Sequence, residues 1–114
     1  MAEIKEERLL PVGSVVYLKE GTLKVVILAR GQLFKEKSDK PTFYDYLGSL
    51  YPQGFDQSNS YYFNKEQIAE VIFSGYYDDE EGRYLNVLGK WKIEHKSEYN
   101  ILSNDEMITG KINE

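Results

Sequence analysis

Two stretches of this chain decide its fold: residues 10–21 read LPVGSVVYLKEG, and residues 44–54 read YDYLGSLYPQG. The first predicts a strand that enters from a Pro-x-Gly turn and leaves through a second turn. The second predicts a Tyr-rich strand that ends in another Pro-x-Gly turn. Neither stretch contains a nucleophile–base pair, a metal-ligand cluster or a phosphate-binding loop, so both specify strands and turns rather than chemistry.

Further strands are predicted on either side of these two stretches. Leu23–Arg30 is apolar on both faces, which favours a central strand. Phe43–Tyr51 is the third predicted strand and Val71–Gly75 the fourth, whereas the polar residues Gly31–Thr42 predict a loop. The fold class we expect is α+β, with a small curled antiparallel sheet of about four strands, one short helix and one longer helix.

The short helix is predicted over Lys65–Glu70. Asn64 is a good N-cap residue, and Gln67 three positions later completes a capping box. Phe63 and Ile68 are spaced as a hydrophobic staple, which fixes the angle at which a chain enters a helix.

The longer helix follows the acidic run at 78–81, because negative charge in the first turn complements the helix dipole. Apolar residues then recur at the i, i+3, i+4 and i+7 spacing of a helix: Tyr84, Val87, Leu88 and Trp91. Two glycines within this segment lower helix propensity. A strand over Leu85–Glu94 is therefore the alternative.

A chain of 114 residues is expected to form one domain. We expect a flexible N-terminus over residues 1–9, a single domain over 10–97 and a C-terminal tail over 98–114, with a short docked element at Ile101–Leu102 as one alternative. Residues 1–8 are charged, so no signal peptide is expected. No apolar run approaches the length of a membrane-spanning helix, and we expect no membrane insertion.

Composition excludes several kinds of chemistry. The chain has no Cys, so disulfides, thiol catalysis and thiolate metal sites are excluded. His95 is the only His and has no nucleophile placed beside it by a motif, while the run at 78–81 lacks the ligand spacing of a calcium loop. A net charge of −5 opposes binding to a phosphate backbone. We expect no enzyme activity, cofactor, metal or nucleic-acid partner.

The aromatic residues are the strongest sign of a partner-binding surface. Ten residues are Tyr, which is enriched at protein interfaces but also common on strands. The helical stripe that includes Trp91 is typical of a core-facing helix, yet Leu85 and Ile93 lie off it, and exposed aromatic patches mark partner sites. We hypothesise a docking patch with five members: Tyr76, Tyr77, Tyr84, Leu85 and Trp91.

Four segments of the chain, in order, carry a family pattern. They are LPVGSVV at 10–16, LKVVILAR at 23–30, YDYLG at 44–48 with YPQG at 51–54, and FNKEQI at 63–68 leading to VIFSGY at 71–76. With these segments the chain resembles a family of small Firmicutes proteins built on a domain of unknown function. The resemblance covers about Leu10 to Asp79.

The resemblance implies a role in protein export. Members of this family are typically encoded beside type VII secretion components, small WXG100-like helical proteins and LXG-domain toxins. It implies a cytoplasmic accessory protein that binds the helical N-terminal region of an LXG toxin as an adaptor or export-targeting factor, with a WXG100-like protein as a further partner. No catalytic residues come with the resemblance. Two alternatives remain, an immunity-like protein that neutralises a toxin and a generic SH3-like binding module.

Overall fold

The computed structural model describes residues 8–19, 22–35 and 39–101, which form an open β-sheet and one α-helix. The strands of this part of the chain are β1 (Val15–Leu18), β2 (Lys24–Phe34), β3 (Thr42–Leu50), β4 (Ser60–Phe63), β5 (Ile68–Phe73) and β6 (Asn100–Ile101). The helix α1 spans Asp79–Glu94. The α+β class is confirmed.

The sheet is larger than the predicted four strands. Five strands lie in the order β4-β3-β2-β1-β5, and each pairs with its neighbours in antiparallel fashion. The short strand β6 pairs in parallel with the start of β3 and lies off this path. Strand β2 is central, as its two apolar faces predicted. The docked element proposed at Ile101–Leu102 falls partly here, and Leu102 lies outside the described residues, as do most of residues 1–9 and of the tail.

The core lies on one face of the sheet and draws on β1 to β4. Its fully buried members include Val16, Val25, Ile27 and Phe63, and half-buried Leu9 and Leu10 from the N-terminal segment pack against it. Tyr46 connects the N-terminal segment to this core, because its hydroxyl accepts a hydrogen bond of 2.9 Å from the backbone N–H of Leu10. No residue of α1 is among the members of this core or the side chains packed against it.

Both Pro-x-Gly turns form as predicted. The N–H of Ser14 bonds to the carbonyl of Pro11 at 3.2 Å, with Gly13 between them at φ +94°. The N–H of Gly54 bonds to the carbonyl of Leu50 at 2.8 Å, and Gly54 has φ +91°. Positive φ is readily adopted only by glycine, so these residues set where the strands begin and end.

The predicted loop over Gly31–Thr42 is wrong in its first part. Strand β2 continues to Phe34 and pairs with the start of β3, with Gln32 opposite Tyr44 and Phe34 opposite Thr42. The Phe34 ring stacks on Tyr62 with 4.7 Å between ring centroids. This long-range aromatic contact offsets the polar composition that suggested a loop.

The predicted short helix is also wrong beyond its first turn. Lys65–Gln67 form one 3-10 turn, and β5 begins directly at Ile68. The Gln67 arm of the capping box is present, since Gln67 Oε1 accepts a 2.7 Å hydrogen bond from the N–H of Asn64. Pairing of Ile68 with Leu18 of β1 outweighs helix continuation. The residues just before this turn form β4, a strand that the sequence did not predict.

Helix α1 is confirmed, and the alternative strand over Leu85–Glu94 is wrong. Asp78 is its N-cap, with a carboxylate oxygen that accepts a hydrogen bond of 3.0 Å from the N–H of Glu81. Three acidic residues occupy the first turn and Lys92 the last, as the helix dipole favours. No helix in the described ranges is long and apolar enough to cross a membrane.

Candidate protein-interaction site

The start of α1 is attached to the sheet by a buried ion pair. Arg30 of β2 is only 5% exposed, and its guanidinium forms a two-pronged pair with Glu81, with 2.9 Å between Nη2 and Oε1. Arg30 Nη1 also donates to the carbonyl of Leu10 at 2.9 Å. One side chain therefore joins the N-terminal segment, the central strand and the first turn of α1.

The middle of α1 approaches β2 at a glycine. Gly31 has φ +68°, and a Cβ built on it would lie 2.6 Å from Leu88 Cδ1. A larger residue at this position would meet both backbone strain and the Leu88 side chain. Gly31 thus allows the helix to lie close to the strand.

The end of α1 is held by aromatic stacking. The Trp91 ring stacks on His95 at 4.5 Å, on Tyr99 at 5.7 Å and on Phe43 of β3 at 6.4 Å between centroids. His95 Nδ1 lies 2.9 Å from the carbonyl oxygen of Trp91, which places this single His in a helix-end contact. Lys92 Nζ lies 4.6 Å from the Phe43 ring centroid.

No residue of α1 is fully buried, so the helix is attached at a few points rather than embedded. Its inner face follows the spacing i, i+4, i+7 and i+11 and consists of Glu81, Leu85, Leu88 and Lys92. The stripe predicted from the sequence is rotated from this face, because Tyr84 is 46% exposed and Val87 is 65% exposed. Ile93 is exposed as well, at 72%.

Three of the five hypothesised patch residues lie on the outer surface around the start of α1. Tyr76 is 79% exposed. The Tyr77 hydroxyl accepts a hydrogen bond of 2.6 Å from Arg8 and approaches Gly82 of the first turn. The Tyr84 ring packs against Arg30, with 5.1 Å from the guanidinium carbon to the ring centroid.

The other two members lie apart from these tyrosines. Leu85 is half-buried and faces a cleft between α1 and the sheet, and Trp91 belongs to the stack at the helix end. The structure therefore divides the hypothesised patch into an outer tyrosine surface, a cleft residue and a stacking residue.

The cleft has a volume of about 300 Å³ and mixed walls. Its apolar walls come from Leu9, Leu85, Leu88 and Ile93. Its charged walls come from Arg8, Asp45, Lys65 and Lys92, and Gly89 completes the lining. We call this feature the basic cleft. The sequence alone does not indicate this cleft, because four segments distant in the chain contribute to it. Its only sequence signal is three cations: Arg8 before β1, Lys65 between β4 and β5, and Lys92 on α1.

Asp45 is the one carboxylate of the basic cleft, and its interactions are largely satisfied within the fold. Its oxygens accept a hydrogen bond of 3.0 Å from the N–H of Lys65 and lie 3.9 Å from Lys92 Nζ. Its own N–H donates to Asn64 Oδ1 at 2.8 Å. Asp45 thus fixes the cleft wall, and the cations dominate its charge.

A second apolar surface lies around β5, an edge strand of the sheet. Strand β5 pairs only with β1 among the described strands, and its Phe73 side chain is 60% exposed. A depression of about 450 Å³ adjoins it, lined mainly by Val15, Val26, Tyr51, Ile72 and Phe73. Nothing in the sequence indicated a function for this edge.

The shifted titrations in the described residues belong to buried tyrosines. Burial raises the pKa of Tyr46 to about 12, against the smaller opposing effect of the Leu10 hydrogen bond. Burial also raises the pKa values of Tyr62 and Tyr99. These phenols stabilise the packing around β3 and are neutral at physiological pH.

The chain belongs to the family described as Domain of unknown function (DUF4176), which matches residues 9–84. The match covers the sheet from the N-terminal segment through β5 and ends within α1. No curated protein and no solved structure is significantly similar to the chain.

Proposed function

We propose that this DUF4176 member is a non-enzymatic accessory protein of a type VII secretion system. In this proposal it acts in the cytoplasm and binds the helical N-terminal region of an LXG toxin, as an adaptor or export-targeting factor. A small WXG100-like helical protein is a further partner. The family resemblance supports the biological setting, and the surface of α1 supports protein binding.

The observation that carries the proposal is the exposed apolar surface of α1 and of the segment before it. Tyr76, Tyr84, Val87 and Ile93 are all among the exposed large hydrophobic residues of the described chain. A helix of a small domain ordinarily buries one apolar face, whereas α1 has no fully buried residue. Exposed apolar surface of this kind is typical of protein-binding sites.

A helical partner suits this surface. Amphipathic helices dock through a few large side chains spaced over two or three turns. Tyr and Trp supply large contact areas at such sites and often dominate the binding energy. The ion pair and the aromatic stack at the two ends of α1 attach the helix to the sheet and leave its outer surface uncovered.

The proposal is tested by pull-down against separated N- and C-terminal halves of an LXG toxin. We expect capture by the N-terminal half alone. Capture by the C-terminal half alone would instead support the immunity-like alternative and overturn the export role.

The surface is tested with Tyr77→Ala and Leu85→Ala, measured for toxin binding and for thermal stability. Truncating a true anchor should weaken binding by more than about 1 kcal/mol while the fold persists. Tyr51→Ala is the matched control, because Tyr51 is similarly exposed but lies by the β5 depression. Full binding by both α1-side variants would place the site elsewhere.

A further inference from the structure

We propose that the basic cleft receives an amphipathic helix of the partner, which inserts apolar side chains beside an acidic one. This inference rests on the proposed function and assigns the partner-facing chemistry of one side of α1. It differs from the tyrosine surface, since of the hypothesised patch residues only Leu85 lines the cleft.

The charge of the basic cleft specifies an acidic partner group. Arg8, Lys65 and Lys92 contribute three cations against the single carboxylate of Asp45, in a protein whose net charge is −5. Asp45 is already bonded to the Lys65 N–H and lies near Lys92. No carboxylate among residues 8–19, 22–35 and 39–101 pairs with the Lys65 ammonium group. The local charge of the cleft is therefore positive, whereas the net charge of the protein is negative. A carboxylate is the group that complements it.

The apolar walls specify what lies next to that acidic group. Leu9, Leu85 and Leu88 are only half-buried, and Ile93 extends the wall outward. Covering them removes apolar surface from water, which a wholly polar ligand cannot do. The occupant is thus amphipathic, with an acidic side chain directed towards Lys65.

Gly89 indicates close approach of another backbone. Glycine is the least favourable residue after proline inside a helix, and so an internal glycine calls for a reason. Gly82 has one, because a Cβ there would lie 2.9 Å from the Tyr77 hydroxyl. Apart from its chain neighbours and the backbone of its own helix, a Cβ at Gly89 would have no atom of the described chain within 4 Å. The space beside Gly89 is open towards the cleft, where a neighbouring helix can approach closely.

The path of the cleft matches a helix. Its lining residues on α1 recur over two turns at Leu85, Gly89 and Lys92, so the cleft runs along the helix axis. Packed helices place the side chains of one between the ridges of the other. The Gly89 position supplies the gap between the ridges formed by its neighbours.

Two variants with matched controls test this inference by titration calorimetry against the N-terminal region of the LXG toxin. Lys65→Glu should weaken binding at least tenfold, because it reverses a cation of the cleft. Lys90→Glu makes the same charge change at an exposed position of α1 outside the cleft and should bind within twofold of wild type.

Gly89→Leu should change thermal stability and binding affinity in opposite directions. Leucine favours helix and finds open space, so the Tm should rise; the same side chain fills the cleft, so affinity should fall at least tenfold. A loss of binding caused by misfolding would lower the Tm instead and would overturn the inference.

The failure of this inference is distinguishable from that of the proposed function. If wild type binds the toxin region and both Lys65→Glu and Gly89→Leu bind as tightly as it does, the cleft is not the site, and the proposed function stands. If wild type does not bind that region at all, both are overturned.

Discussion

The sheet and the helix of this protein are built in different ways. Core residues of β1 to β4, such as Val16, Ile27 and Phe63, are fully buried, whereas α1 has no fully buried residue. The sheet holds its shape through apolar packing. Helix α1 is held by the Arg30–Glu81 pair, the Gly31–Leu88 contact and the Trp91 stack. Stability is therefore concentrated in the sheet, and α1 leaves apolar side chains such as Val87 and Ile93 exposed.

The largest expected effect compares the same substitution in the two regions. Ile27→Ala should reduce the free energy of unfolding by about 4 kcal/mol, because Ile27 is fully buried and leaves a cavity. Ile93→Ala in α1 should change it by less than about 0.5 kcal/mol, since that side chain is largely exposed. Urea denaturation measures both. Equal costs would show that α1 is as integral to the core as β2.

The ion pair at the start of α1 should be the next most costly contact to break. Glu81→Gln leaves the buried Arg30 guanidinium without its carboxylate and should cost about 3 kcal/mol. Glu80→Gln is the control, because Glu80 lies exposed in the same first turn. If denaturation midpoints of the two variants coincide, Arg30 does not anchor the helix.

The free energy of unfolding should fall at alkaline pH, because burial in the sheet raises the pKa of Tyr46. The folded-state pKa of Tyr46 is about 12 against an ordinary value of 10.0, so its contribution is complete below pH 10 and is lost as the pH rises towards 12. The loss should be about 2 to 3 kcal/mol, measured by urea denaturation at several pH values. Tyr46→Phe should be less stable at pH 8 but should flatten this decline. An unchanged slope in Tyr46→Phe would assign the decline to other groups.

The smallest expected loss of stability concerns Asn64, which caps the 3-10 turn and also bonds to Asp45 of β3. Asn64→Ala removes the acceptor of the Asp45 N–H and should cost about 1 kcal/mol. Asn86→Ala, at an exposed position of α1, should not destabilise. An unaltered midpoint for Asn64→Ala would mean that water replaces the lost acceptor.

Local features of the fold could be predicted from the sequence. The two Pro-x-Gly turns, the central position of β2 and the acidic start of α1 each depend on residues close together in the chain. The extension of β2 to Phe34 and the existence of β4 depend on the partners Tyr62 and Tyr46, which are distant in sequence. Pairings between residues so far apart in the chain cannot be inferred from local composition.

The candidate site was predictable only in part for the same reason. The helical period identified α1, but the direction of its inner face depends on where Arg30 and Gly31 of β2 meet Glu81 and Leu88. Tyr84 and Val87 were expected in an apolar stripe and instead lie exposed. The basic cleft joins four segments of the chain and could be found only once the fold brought them together.

Hydrogen–deuterium exchange of the protein with and without the N-terminal region of the LXG toxin tests the central claim most directly. The few attachments of α1 should let its amides exchange faster than those of β1 to β3 in the free protein. On binding, exchange should slow across residues 76–93 and at Lys65, with β1 and β2 unchanged. Slowed exchange confined to β5, with α1 unchanged, would contradict the account and place the partner at the β5 edge of the sheet.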